Sequence, residues 1–268
     1  MPDPTDVLSR AAEPPDAVVR YADHDDGVID VFLPASVGRP PTPCPLVVFV
    51  HGGFWRQEYN RKHVRPLANA LIARGVVVAV PEYRRTGGAG GWPQTGNDVE
   101  SAVSAARQLI DDVAPGWIDP AASAVLAGHS AGGHLALWAG LRIGPPTVDA
   151  VVGLAPIADL RFAAHERLDG DATTLLLGGG PDDVPDAYEA ADPFAGLAAH
   201  SPADSRHPSL RVVHGTADRQ VPVTMSRAIA QRHPGVHYVE LDGVDHFALI
   251  DPLSSAFASA VLPALVRV

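Results

Sequence analysis

Two hydrophobic periods alternate along most of the chain. Short runs such as Leu46–Val50 (LVVFV) are apolar at every position, as expected of a strand covered on both faces. Between such runs lie longer stretches with apolar residues three or four apart, the spacing of one helix face. Residues 63–74 predict a helix stopped at Gly75, and 76–80 a second buried strand. Gln94–Val113 predicts a long Ala-rich helix with Pro115 just beyond it. Residues 123–127 read as a strand, 131–141 as a helix ended by Gly144-Pro145, and Val148–Leu154 as a strand. Residues 210–214, Val223–Arg232, Val236–Leu241 and 254–266 continue as strand, helix, strand, helix. Ahead of this rhythm, 18–22 and 28–33 flank the turn-rich stretch 23–27 and predict a hairpin at a sheet edge. Strand and helix in alternation mean βαβ units around a mostly parallel sheet flanked by helices, an α/β fold.

The rhythm fails in two places. Residues 158–208 contain Arg, His, Asp and a glycine triplet at 178–180, and they are too many for a bare loop. They predict a small, partly helical, cap-like insertion over one end of the sheet. The Pro/Asp-rich first fifteen residues are expected to be loosely held, and 39–45 is a Pro-rich connection. With 268 residues the chain is read as a single domain, 1–268, because α/β folds often run to about 250 residues as one unit.

Composition then removes whole classes of function. A hydrophobic fraction of 46% with 19% charged residues excludes a disordered chain. The net charge of −11 argues against nucleic acid, which needs a basic footprint, and against anionic lipid. Lys62 is the only lysine, so Schiff-base chemistry has one candidate, in a polar run. Cys44 is the only cysteine, so there is no intrachain disulfide and no thiolate zinc cluster. His233 and His237 have metal-like spacing, but Pro234-Gly235 breaks any helix between them, and no metal is called for. The glycines at 87–91 lack the Lys-Ser/Thr of a phosphate-binding loop. The N-terminus has no apolar signal-peptide core, and the longest apolar runs are far short of a membrane span. These features predict a soluble, cytoplasmic protein without a membrane partner. A homodimer is compatible with all of them.

The sharpest chemical signal is Gly128-His129-Ser130-Ala131-Gly132. It fits G-x-S-x-G, the turn that lifts a nucleophilic serine clear of a sheet. The motif alone is weak, but here a predicted strand runs into it and a predicted helix runs out, as the mechanism demands. A second signal is His51-Gly52-Gly53-Phe54-Trp55 at the end of the first parallel strand. Acyl transfer puts negative charge on a carbonyl oxygen, and backbone N–H groups held ready there stabilise it. The amides of Gly53 and Phe54, with that of Ala131, are the candidate oxyanion hole. In hydrolases of this architecture the acid and then the base follow the serine. Asp218 lies just past the predicted strand 210–214, and His246 lies in the loop after Val236–Leu241. Both fall at C-terminal strand ends, where open α/β sheets build their sites. Asp245, Asp242 and Glu240 are the rival acids. Trp55 and His129 are candidate substrate contacts, although Trp55 also suits the core under the loop and His129 suits sheet–helix packing. His134 suits the core or a supporting position.

These residues resemble the α/β-hydrolase superfamily from about Val18 to the C-terminus. The pairing of His51-Gly52-Gly53-Phe54-Trp55 with Gly128-His129-Ser130-Ala131-Gly132-Gly133-His134-Leu135 resembles its kynurenine formamidase-like and small carboxylesterase branch, as does Glu82-Tyr83-Arg84. The resemblance implies hydrolysis of a small ester or formyl amide through an acyl-enzyme, with Ser130, Asp218 and His246 as triad. It implies no cofactor. A small peptidase and a non-catalytic binding protein on the same fold are the alternatives, and a fluorophosphonate probe separates enzyme from binder. The insertion is too polar for a lipase lid, so a compact substrate is expected, with Phe54 or Trp55 bordering its pocket.

Overall fold

The computed structural model describes residues 3–35, 42–195 and 207–266. Parts of the Pro-rich connection at 39–45 and of the insertion at 158–208 lie outside the described residues. Among the described residues, eight strands form one sheet: β1 (Ala17–Arg20), β2 (Val28–Phe32), β3 (Leu46–Val50), β4 (Val77–Pro81), β5 (Ala124–His129), β6 (Val148–Leu154), β7 (Ser209–Gly215) and β8 (Val236–Leu241). Their order is β1-β2-β4-β3-β5-β6-β7-β8. β2 runs antiparallel to β1 and β4, and every other pair is parallel. The predicted hairpin is therefore the sheet's antiparallel edge, and this is the α/β-hydrolase fold.

β3 shows why its run holds no polar residue. Val47 and Phe49 enter one apolar cluster, while Leu46, Val48 and Val50 enter the other. Helix α1 (Arg65–Ile72) covers the first cluster through Leu67 and Leu71, together with Phe257 and Val261 near the C-terminus. Helices α2 (Gln94–Val113), α3 (Ala131–Ile143) and α7 (Val223–Arg232) cover the second through residues such as Val103, Leu135 and Met225. In α2 the buried positions Val99, Ala102, Val103, Ala106 and Ile110 recur at helical spacing, so one stripe faces the sheet.

Three departures from the sequence reading are informative. The predicted helix at 254–266 contains a π-helical stretch, Phe257–Val261, before α8 (Leu262–Leu265). The insertion carries α4 (Leu160–His165), α5 (Ala172–Leu177) and α6 (Pro185–Ala191), and its Leu176 and Tyr188 join the sheet's own core cluster. The N-terminal segment is held rather than loose. Pro4–Leu8 forms a 3-10 helix with Val7 buried, and Arg10 grips the Asp251 carboxylate with both terminal nitrogens. Composition hid this because the segment is held by one apolar side chain, one distant ion pair and a hydrogen bond from the Glu13 amide to Asn69.

Candidate active site

Ser130 stands between β5 and α3 with φ 58° and ψ −120°, a conformation that L-residues avoid. Its backbone is held from both sides. The Ser130 N–H donates to the Leu154 carbonyl at 2.8 Å, and its own carbonyl accepts from the His134 and Ile157 amides at 3.1 and 3.2 Å. The turn admits no bulk. A Cβ at Gly128 would lie 2.1 Å from the Gly132 carbonyl oxygen, and one at Gly132 would lie 2.2 Å from that of Val50. The small residues of the motif are thus set by contact between strand and helix.

The second loop leaves β3 and doubles back at once. Gly53, Phe54 and Trp55 all have positive φ, at 111°, 48° and 55°. Successive residues of this kind curl the chain so that its N–H groups face one concavity. Among the described residues, the amides of Gly53, Phe54 and Ala131 have no hydrogen-bond acceptor. A buried network lies behind the loop. The His51 ring meets the Gly52 carbonyl through Nδ1 at 2.9 Å and Glu82 Oε1 through Nε2 at 2.7 Å. The Tyr83 hydroxyl donates to the His51 carbonyl at 2.8 Å. Because a trans peptide points its N–H away from its C=O, anchoring the Gly52 carbonyl turns the Gly53 N–H outward. Burial alone would raise the pKa of Glu82, but the adjacent His51 and Arg85 bring it down to about 2.

At the far side of the sheet edge, His246 Nδ1 lies 2.6 Å from Asp218 Oδ2. Asp218 Oδ1 accepts the Gln220 and Val221 amides, each at 2.8 Å. Burial would raise the carboxyl pKa, yet hydrogen bonds from His214 and His246 hold it far below the usual carboxylate range. Asp245 is occupied elsewhere, accepting the Phe247 and Ala248 amides at 2.9 and 3.1 Å. Glu240 pairs with Arg227, and Asp242 accepts from Thr216. The rival acids therefore have other partners, and Asp218 is the one on the histidine.

Ser130, His246, Gly53 and Phe54 line one cavity of about 210 Å³. Of the two expected substrate contacts, Trp55 is corrected. Trp55 is fully buried and absent from the cavity wall, because the left-handed turn at Phe54 and Trp55 drives the indole under the loop against His134. His129 does touch the cavity, but its Nε2 donates to the His246 carbonyl at 3.0 Å. Burial keeps that ring neutral, so it braces the His246 loop. His134 likewise donates to the Ala191 carbonyl at 2.8 Å and fixes α6 against α3. Thr5, Leu8, Tyr59 and His63 also line the cavity, and nothing in their local sequence marks them. His63 is held neutral by burial, which brings its pKa to about 3. Asp169 of the insertion reaches the cavity too, and Arg56 of the glycine loop pairs with it through Nε at 2.5 Å.

The BD-FAE family model matches residues 29–232, three quarters of the sequence. The chain belongs to the BD-FAE family. Esterase LipC of Mycobacterium tuberculosis is 29% identical over 254 residues, covering 87% of this BD-FAE chain and 60% of LipC. The chain thus spans well under the full length of that relative. Kynurenine formamidase of Danio rerio is 31% identical over 118 residues, 44% of this chain and 36% of that protein. Esterase 2 of Thermogutta terrifontis, solved after phosphonylation by sarin, superposes with a TM-score of 0.70 at 23% identity, covering 94% of this chain and 92% of that one. At that identity the likeness shows the fold. This BD-FAE protein has the α/β-hydrolase fold, and esterases are among the proteins it is similar to.

Proposed function

We propose that the protein is a serine hydrolase that cleaves a small carboxylic ester through an acyl-enzyme, with Ser130 as nucleophile, His246 as base and Asp218 as its orienting acid. The observation that carries this reading is the 2.6 Å bond from His246 to Asp218 at the cavity that Ser130 also lines. Ser130 Oγ attacks the carbonyl carbon while its proton passes to His246 Nε2. The oxyanion accepts hydrogen bonds from the Gly53, Phe54 and Ala131 amides, which have no other acceptor among the described residues. The imidazolium then gives its proton to the leaving oxygen, the C–O bond breaks, and the acyl group stays on Ser130. Water repeats the sequence and releases the acid. No step needs a metal or an organic cofactor.

The formyl amide is a second substrate reading, favoured by the small cavity and by the match to kynurenine formamidase. Two experiments test the proposal. A fluorophosphonate probe labels the protein at Ser130, and labelling at another residue or at none overturns the nucleophile assignment. Relative kcat/KM on p-nitrophenyl acetate and N-formylkynurenine then divides ester from formamide.

A further inference from the structure

His214 lies one residue before the end of β7 with no exposed surface, four residues before Asp218, and the mechanism above makes no use of it. Its Nε2 lies 3.1 Å from Asp218 Oδ2 and 3.0 Å from the Val221 carbonyl. Both neighbours are acceptors, so Nε2 carries the proton and donates. On the other side Nδ1 lies 2.7 Å from the hydroxyl of Ser226, itself fully buried on α7. The ring is therefore fixed at both nitrogens. Asp218 Oδ2 is the oxygen that also takes His246 Nδ1, so two imidazoles share it. Oδ1 is filled by two backbone amides. Four donors leave this carboxylate no freedom to rotate.

We propose that His214 is a positioning residue for the Asp218–His246 pair, a second imidazole donor that sets both the orientation of the carboxylate and the strength of its hold on His246. The inference rests on the triad reading. A donor on Oδ2 draws electron density from the oxygen that must stabilise the His246 cation. Removing that donor makes Asp218 a stronger partner for His246 and lets the carboxylate turn. The first effect keeps the proton on His246 to higher pH, and the second lowers kcat.

The other titratable groups near this pair come from β8, β5 and the loop that carries His246. Glu240 of β8 stands opposite His214 in register and is paired with Arg227 of α7. His129 of β5 has its ring 4.3 Å from that of His246 and is neutral through burial. Asp245, beside His246, is bound to backbone amides. A substitution at His214 leaves the partners of His129 and Asp245 in place, and Glu240, which also feels the His214 ring, keeps its pair with Arg227.

The test compares His214→Leu, which removes the donor, with His214→Gln, which keeps an N–H at the Nε2 position. In His214→Leu the acid limb of the kcat/KM profile moves up by about half a pH unit or more. Its kcat falls about 10- to 100-fold, by analogy with the loss when a partner that orients a metal-ligating imidazole is removed. His214→Gln restores both toward wild type. An acid limb that stays in place in His214→Leu, with only the melting temperature lowered, overturns the proposal. If His214→Leu does not fold, Ser226→Ala releases the ring at Nδ1, and an unmoved limb there overturns it equally. NMR titration of the His246 ring follows the same shift without turnover. Failure of the triad reading would appear separately, as absent fluorophosphonate labelling of the wild-type protein.

Discussion

Ser130 is held in a left-handed conformation that costs about 1–3 kcal/mol, and both its neighbours and its backbone hydrogen bonds enforce it. Strain so placed keeps the hydroxyl at the cavity. Ser130→Ala removes the hydroxyl and leaves the strained backbone unchanged. Its kcat falls by about 10⁶ while the urea midpoint stays close to wild type; a variant with a tenth of the wild-type rate would exclude Ser130 as nucleophile. Asp218 differs because four donors converge on it and its charge is buried. Asp218→Asn presents an amide where His246 Nδ1 needs an acceptor, so the ring takes the wrong tautomer and kcat falls by about 10⁴. Asp245→Asn, assayed beside it, retains most activity because Asp245 only accepts backbone amides. The reverse outcome would move the acid to Asp245.

At the scale of elements, the glycine loop is as rigid as the buried network behind it. Glu82 carries the charge of that network, with a pKa of about 2 against about 4.3 in an unfolded chain. A carboxylate with a depressed folded pKa stabilises fully above its unfolded value and loses that contribution as pH falls toward the folded one. The urea midpoint of the wild type therefore drops between about pH 4.5 and pH 2. Glu82→Gln has a lower midpoint at neutral pH but a shallower drop across that window. Part of the drop persists because Asp218, also depressed, has the same sign. An equally steep drop in Glu82→Gln would remove Glu82 from the acid sensitivity.

The elements themselves were legible wherever burial is uniform. Leu46–Val50 and Val148–Leu154 are buried along nearly their whole length, so their apolar runs coincide with the strands. The triad candidates were legible because each follows a strand end. Trp55 was not, since only the positive φ values of the loop decide which way the indole points. His214 was not, because its role comes from a carboxylate four residues on and a serine on another helix. The hold on the N-terminal segment was not, because Asp251 and Asn69, which bind Arg10 and the Glu13 amide, are distant in sequence.

For the whole molecule the decisive quantity is the space left above Ser130. Three separate parts of the chain close it: the N-terminal segment with Thr5 and Leu8, the segment after the glycine loop with Tyr59 and His63, and the insertion with Asp169. Arg56 ties the last of these to the loop, and Arg10 ties the first to Asp251. The cavity they leave, about 210 Å³, is below the ~300 Å³ at which pockets begin to enclose drug-sized ligands. A short acyl group matches that volume, and Leu8 and Tyr59 stand on the cavity wall. Across p-nitrophenyl esters, kcat/KM is highest at acetate to butanoate and low at octanoate. Truncation through Arg10 removes the Leu8 wall and raises octanoate relative to acetate, with the Asp218–His246 pair left intact. A wild-type rate that climbs steadily to octanoate and beyond would contradict the small-substrate reading and mean that a long chain finds room beyond this cavity.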